Sequence, residues 1–380
     1  MSLKRQIGDP GSPLGGFLRQ AFPLRGNRRL LSEINGHLDS HPAICRLKVG
    51  APSWVHGLIG HAVDYRIRYH FAITPSAEFT AARQGARAVT SLDDPIELVR
   101  SDPSGYSDYA ITRLGDVPHG DEDWQHFADT ETEAGDHTVW IRPGARRENI
   151  PSLLSACHGA IHGGFPGTKL PFGCPLDFFD FLDRTAESIS AHRRRPTAVE
   201  ECRLARLCLV LSVFEAVGRS GRGWPPEFLD GREVTDPESL LRAIPQAWVE
   251  DVAVLGATFR HGHTDWQGIP AILNPVFEGE RDVGGADGDL IVDGCLWDIK
   301  TTRQRAQGKW LLQLLAYVLL DYDDEYAISH VGLLFPRQSV CVRWTLPELV
   351  HELSAQEDAS VAGLRHALRR VLRSDTPRPA

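Results

Sequence analysis

The stretch Val283–Thr302 reads V-G-G-A-D-G-D-L-I-V-D-G-C-L-W-D-I-K-T-T, and it decides how the chain folds. The apolar run Leu290-Ile291-Val292 meets Asp293-Gly294, a dipeptide that favours the two-residue type I′ turn of a β-hairpin. Cys295-Leu296-Trp297 leads out of the turn into Asp298-Ile299-Lys300. With Asp293 and Gly294 in the turn, Val292 pairs with Cys295, Ile291 with Leu296 and Leu290 with Trp297. Continued outward, the same register sets Asp289 opposite Asp298 and Asp287 opposite Lys300. Strand side chains alternate between faces, so Asp287, Asp289, Asp298 and Lys300 project from one face. Like charges directly opposite one another destabilise a sheet. A divalent cation between the carboxylates is the natural way to relieve them.

These residues resemble the PD-(D/E)xK nuclease superfamily, whose signature is an acid at the head of one strand, a hairpin, and an acid-x-Lys on the returning strand. Asp289 matches the first acid, and Asp298-Ile299-Lys300 matches the acid-x-Lys. Gly288 stands where the proline of the family's name would be. The next apolar segment carries Gln313-Leu-Leu-Ala-Tyr317, which is similar to the Q-x-x-x-Y motif of the RecB-like branch. Gln313 and Tyr317, four residues apart, lie on one helical face, from which both reach back to the hairpin.

The resemblance implies a chemistry. Asp289 and Asp298 hold Mg²⁺ or Mn²⁺, with the Ile299 backbone carbonyl as a further oxygen ligand, a donor set suited to hard cations. Lys300 orients or helps deprotonate the attacking water, and Gln313 and Tyr317 position Lys300 or a substrate phosphate. Asp287 is either an extra ligand or an ion-pair partner of Lys300. Glu278, Glu280 and Glu215 are the candidates for the glutamate that often completes such a site. Thr301 and Thr302 stand beside it as hydrogen-bond donors. Some RecB-like nucleases hold an iron–sulfur cluster through one early cysteine and a late group of three. Here only Cys341 follows the Gln313–Tyr317 segment, so no such cluster is expected.

The composition sets the bounds. At 380 residues with 42% hydrophobic and 24% charged residues, the chain holds one large elaborated domain or two domains, with ample core. The formal net charge of −9 argues against coating nucleic acid through overall charge, but local basic patches still guide a phosphate backbone. Seven cysteines without a C-x-x-C pair give neither a disulfide framework nor a zinc ribbon. No secretory leader and no membrane-length apolar run is visible, so no membrane partner is expected and the cytoplasm is the expected setting.

Outward from the hairpin, the pattern predicts an α/β (α+β) fold: a mixed central β-sheet flanked by helices, in the manner of a restriction-endonuclease core, with a large mainly helical insertion. Residues 1–55, rich in Gly, Pro and Arg, read as an N-terminal arm with a short helix at Leu30–Leu38. Residues 56–74 hold the expected first helix of the core, apolar at helical spacing through Leu58, Ile59, Ala62, Val63 and Ile67. By the resemblance, Gly60, His61 and Asp64 on it lie near the site. Residues 75–250 read as the mainly helical insertion, with an acidic loop around Asp116–Asp136 and a helix entered through the capping-box pattern Thr197-Ala-Val-Glu200. Residues 251–346 form the nuclease core: a strand at Ala271–Phe277, the hairpin, a helix at Trp310–Asp321, and strands at Ser329–Phe335 and Ser339–Trp344. Residues 347–380 read as a C-terminal helix and basic tail carrying Arg365, Arg369, Arg370 and Arg373.

The function expected is Mg²⁺-dependent hydrolysis of phosphodiester bonds in nucleic acid, DNA first, in restriction, repair or anti-phage defence, with protein partners of a multi-subunit system. The competing reading is a non-catalytic nucleic-acid-binding or scaffold subunit with a nuclease-like fold. A third is a hydrolase of another class using His158 and His162, or His261, His263 and Asp265, as metal ligands. The basic run Arg193-Arg194-Arg195 and the C-terminal arginines are candidate phosphate grips.

Overall fold

Asp293 and Gly294 both lie at positive φ, 50° and 67°, as a type I′ turn requires. The strands beside them pair as the sequence predicts: Leu290 with Trp297, Ile291 with Leu296 and Val292 with Cys295. The computed structural model describes residues 3–23, 27–48, 50–71, 109–113, 125–132, 135–141, 176–220, 237–266, 268–286, 288–356 and 358–374. The chain divides into two compact units, Met1–Ile73 with Glu250–Ala380, and Thr74–Val249.

In chain order, the first unit opens with helices α1 (Leu3–Gly8), α2 (Pro13–Ala21), α3 (Asn27–Ser40) and α4 (Ser53–Phe71). The second unit holds strands β1 (Tyr109–Arg113), β2 (Gln125–Thr132) and β3 (Gly135–Ile141), then helices α5 (Leu176–Arg194), α6 (Ala198–Ser220) and α7 (Pro237–Ala243). Helix α8 (Gln246–Gly262) leads back to the first unit, which continues with β4 (Ala271–Leu273), the one-turn α9 (Glu280–Val283), β5 (Leu290–Val292) and β6 (Cys295–Ile299). It closes with α10 (Gly308–Leu320), β7 (His330–Phe335), β8 (Val340–Thr345), α11 (Leu346–Leu353) and α12 (Val361–Ser374).

The first unit is a mixed α+β structure around a five-stranded sheet in the order β4-β5-β6-β7-β8. Strands β4, β5 and β6 form an antiparallel meander, while β7 runs parallel to β6 and β8 antiparallel to β7. A parallel neighbour needs a crossover, and α10 supplies it. Every residue of α10 from Trp310 to Leu320 is buried, the mark of a helix enclosed on all sides. Its leucines join Ile291, Leu296, Val331, Leu333 and Phe335 of the sheet in one core.

The N-terminal region corrects its expectation. Residues 1–55 are predicted as an arm, yet Leu3, Ile7, Leu14, Leu18, Phe22, Leu30, Ile34 and Leu38 belong to the same core as α10. Leucines spaced along short helices do most of the burying, and Gly15, Gly16 and Gly36 lie within those helices. Ser12 caps α2 by accepting the Gly15 N–H at 2.9 Å. The C-terminal helix is likewise two helices, α11 and α12, with a break between them. Thr345 and Glu348 form a capping box at the start of α11, and Leu364, Leu368 and Leu372 seat α12 in the core.

Among its described residues the second unit is mainly helical and also carries strands. Its three-stranded antiparallel sheet has the order β1-β3-β2, and part of the expected acidic loop is the β2–β3 pair. The β-branched residues Thr130, Thr132, Thr138, Val139 and Ile141 suit a strand and outweigh the acids between them. Helices α5 and α6 are joined near Thr197, whose Oγ1 accepts the Glu200 N–H at 3.3 Å. A buried pair, His192 Nε2 to Glu201 Oε2 at 2.7 Å, ties the end of α5 to the start of α6. Among the described residues no helix is long and apolar enough to cross a membrane.

Candidate active site

Strand β5 begins at Leu290, opposite Trp297, whereas β6 continues past that pair to Ile299. This difference in length builds the site. In a strand, successive N–H groups point to opposite neighbours. The Lys300 N–H bonds the Leu334 carbonyl at 2.8 Å on the β7 side, and the Ile299 N–H faces the β5 side. There no backbone carbonyl receives it. The Asp289 carboxylate does, Oδ2 accepting at 2.6 Å. The side chain of Asp289 therefore extends the ladder and is fixed beside the Asp298–Ile299 peptide.

Asp298 is almost fully buried, at 1% exposure, and its Oδ2 forms a close ion pair with Lys300 Nζ. Burial pushes the Asp298 carboxyl above the usual carboxylate range; Asp289 adds to the rise, while Lys300 and Lys4 oppose it. Lys300 Nζ also donates to Gln313 Oε1 at 3.1 Å and lies 5.8 Å from the centre of the Trp310 ring. Gln313 Nε2 in turn donates to the Tyr317 hydroxyl at 2.8 Å. Tyr317 is held by stacking on Phe277, with ring centroids 5.5 Å apart. Asp289, Asp298, Lys300, Gln313 and Tyr317 are thus brought into one connected group, and Ile299 joins it through its N–H. Asp287 lies outside the described residues.

Gly288 precedes Asp289 without room for a side chain. A Cβ there would stand 2.9 Å from Pro275 Cγ and 3.3 Å from Leu296 Cδ1. Its N–H donates to the Pro275 carbonyl at 3.1 Å, a bond that proline cannot make.

Sequence reasoning missed two contributors. Arg68 on α4 places Nη2 3.7 Å from Asp289 Oδ1. Its signal was present: Arg68 follows Asp64 by four residues, on the helical stripe already singled out. Helix α1 is the other. Its Leu3 N–H donates to the Gly285 carbonyl at 3.3 Å and Gln6 Nε2 to the Val283 carbonyl at 2.7 Å, clamping the loop that leads to Asp289. No local pattern announces such a long-range clamp.

Other candidates are engaged elsewhere. The Glu278 carboxylate takes Arg369 at 3.0 Å and Arg373 at 3.2 Å, and Arg365 donates to the Val318 carbonyl at 3.0 Å and pairs with Asp324 at 2.8 Å. Three of the four C-terminal arginines therefore hold acids of their own chain. Glu280 sits on α9, and Glu215 belongs to the Thr74–Val249 unit. Thr302 Oγ1 accepts the Gln304 N–H at 3.0 Å, closing a local turn. His261 Nδ1 bonds the Ala257 carbonyl of its own helix at 2.6 Å. His263 is wedged between Phe259 and Trp266, at 4.6 Å and 4.5 Å between centroids, and burial lowers its pKa. His158 and His162 lie outside the described residues.

Two carboxylates beside a strand-end carbonyl are hard oxygen donors and suit Mg²⁺ or Mn²⁺. Among the described residues no group of three His, Cys, Asp or Glu side chains gathers for a metal. A two-carboxylate set fits a cation that completes its shell with water and phosphate oxygens. Compared with known proteins, the chain matches no family model, no curated protein and no solved structure.

Proposed function

We propose that the chain is a Mg²⁺- or Mn²⁺-dependent nuclease of PD-(D/E)xK type, close to the RecB-like branch, that hydrolyses phosphodiester bonds in DNA. One observation carries the reading: the Lys300–Gln313 hydrogen bond of 3.1 Å joins the acid-x-Lys hairpin to the Gln313–Tyr317 pair. Two motifs on separate elements are thereby linked by a hydrogen bond. The order of the first unit also supports a restriction-endonuclease-like core: a helix, an antiparallel three-strand meander, a crossover helix and a parallel strand.

In this reading Asp289 and Asp298, with the Ile299 carbonyl, hold the metal. The bound cation supplies Lewis-acid relief of phosphate charge and a more acidic water. Lys300 positions the attacking water and offsets charge that grows on the phosphoryl oxygens. Gln313 fixes the Lys300 amine, and Tyr317 fixes Gln313, so the lysine is held without reorganisation when substrate arrives. The buried, low-dielectric surroundings of Asp298 strengthen each of these interactions.

The test is cleavage of linear and circular DNA by the purified full chain with Mg²⁺, with Mn²⁺ and with chelator. Cleavage is expected with either metal and none with chelator. Asp298→Asn and Lys300→Ala are expected to abolish turnover while circular dichroism stays unchanged. An Asp298→Asn protein that cleaves as fast as wild type overturns the proposal.

A further inference from the structure

A helix of six residues is too short to hold its shape alone, yet α1 is tied down along its length. The Leu3 N–H donates to the Gly285 carbonyl at 3.3 Å, and Gln6 Nε2 to the Val283 carbonyl at 2.7 Å. At the far end Ser12 Oγ donates to the Gln6 carbonyl at 2.8 Å and Arg19 Nη2 to the Gly8 carbonyl at 3.1 Å. Leu3 and Ile7 enter the core that holds α10, and α1 packs against that helix. What this fixed helix turns to solvent includes Lys4, an exposed side chain between the two clamping residues.

The charge of Lys4 reaches the site. Burial raises the Asp298 carboxyl, and Lys4 is one of two lysines, with Lys300, whose charge opposes the rise. Lys300 is engaged within the site, in its close pair with Asp298 and on Gln313 at 3.1 Å. Among the described residues no hydrogen bond or ion pair holds the Lys4 ammonium. A lysine head is a compact, hydrated point charge on a flexible stem, suited to a phosphate that arrives from solvent. We propose that Lys4 grips a backbone phosphate of the nucleic acid bound at the Asp289–Asp298 site, and so sets where the strand lies without touching the reacting atoms. This rests on the nuclease reading above. Helix α1 then has two separable duties: Leu3 and Gln6 brace the loop before Asp289, and Lys4 meets the substrate.

The experiment is anisotropy of a labelled short DNA duplex in Ca²⁺ over a salt series, beside calorimetric titration with Mn²⁺, on the full chain. Wild type is compared with Lys4→Gln, Lys4→Arg and Arg343→Gln. Arg343 is an exposed charge aligned across the sheet with Gly332 and Trp297, on the face opposite Asp298, so it controls for net charge. Lys4→Gln is expected to bind the duplex about three- to tenfold more weakly, with a salt slope shallower by about one. Its Mn²⁺ affinity is expected to be no weaker than that of wild type, with Lys4→Arg and Arg343→Gln close to wild type throughout. Unchanged duplex affinity and slope in Lys4→Gln, or an equal loss in Arg343→Gln, overturns the role of Lys4 alone. Loss of Mn²⁺ and duplex together in Lys4→Gln overturns it too, because Lys4 is then part of the brace. Wild type that takes up no Mn²⁺, or binds no duplex, removes the nuclease reading and this inference together.

Discussion

Lys300 Nζ donates to Gln313 Oε1 at 3.1 Å, and Gln313 Nε2 passes the chain on to the Tyr317 hydroxyl at 2.8 Å. Gln313 is 4% exposed and sits among the buried residues Trp310–Leu320 of α10, where an unpaired amide would be costly. Its two ends are satisfied by two different partners, one on the sheet and one a turn along its own helix. Gln313 thus ties Lys300 to α10.

Truncating Gln313 removes one hydrogen bond from Lys300 and one from Tyr317. Gln313→Ala is expected to lower unfolding free energy by about 1–3 kcal/mol, measured by urea denaturation. A double-mutant cycle with Tyr317→Phe is expected to show a coupling of about 0.5–1.5 kcal/mol. Independent, additive losses would contradict the bonded chain.

Asp298 makes stability depend on pH. Its carboxyl titrates above the ordinary range because it is buried, so the folded state binds its proton more readily than the unfolded state. Such a group contributes stability that is fully present below the unfolded carboxylate pKa and is lost as pH rises through the raised folded value. Asp298→Asn does not titrate there. In chelator, the difference Tm(Asp298→Asn) minus Tm(wild type) is therefore expected to grow as pH rises from the acid carboxylate range through the raised folded pKa. A difference that shrinks over that interval contradicts the burial argument.

Gly288 tests whether a proline is compatible with the entrance to this hairpin. Gly288→Pro removes the N–H that bonds the Pro275 carbonyl and places ring atoms where a Cβ alone would be 2.9 Å from Pro275 Cγ. Overpacking and the lost bond together are expected to cost about 2–4 kcal/mol, read from thermal or chemical unfolding. A Gly288→Pro protein as stable as wild type would show that the strand entrance is looser than described.

The N-terminal helices carry core weight. Leu14 and Leu18 are fully buried, so Leu18→Ala is expected to cost about 2–5 kcal/mol. Deleting Leu3–Gly8 is expected to unclamp the loop before Asp289 and weaken Mn²⁺ binding even where the remainder stays folded. Unchanged Mn²⁺ affinity after that deletion would separate α1 from the site.

How far these features are legible in the sequence depends on how local their causes are. The hairpin register follows from Asp293-Gly294 and two apolar runs, all within a few residues. Helix α10 follows from an apolar segment of helical length, and the two motifs come from resemblance to a known family. The arm expected at residues 1–55 is instead part of the core, because the partners of Leu14 and Leu18 lie hundreds of residues away and Gly/Pro content masks the helical leucines. The C-terminal arginines look like a phosphate grip until the fold brings Glu278, Asp282, Asp321, Asp323 and Asp324 to Arg365, Arg369 and Arg373. Arg68 was one helical turn from a residue already in view, but its meaning depends on Asp289, which only the fold places beside it.

The most direct measurement is anomalous diffraction from crystals of the full chain soaked in Mn²⁺, because it locates the cation without any choice of substrate. A peak is expected between the Asp289 and Asp298 carboxylates, at about 2.0–2.2 Å from an oxygen of each, and no peak in Asp298→Asn. A wild-type peak at His261 and His263 instead, or Mn²⁺ bound equally well by Asp298→Asn, contradicts it.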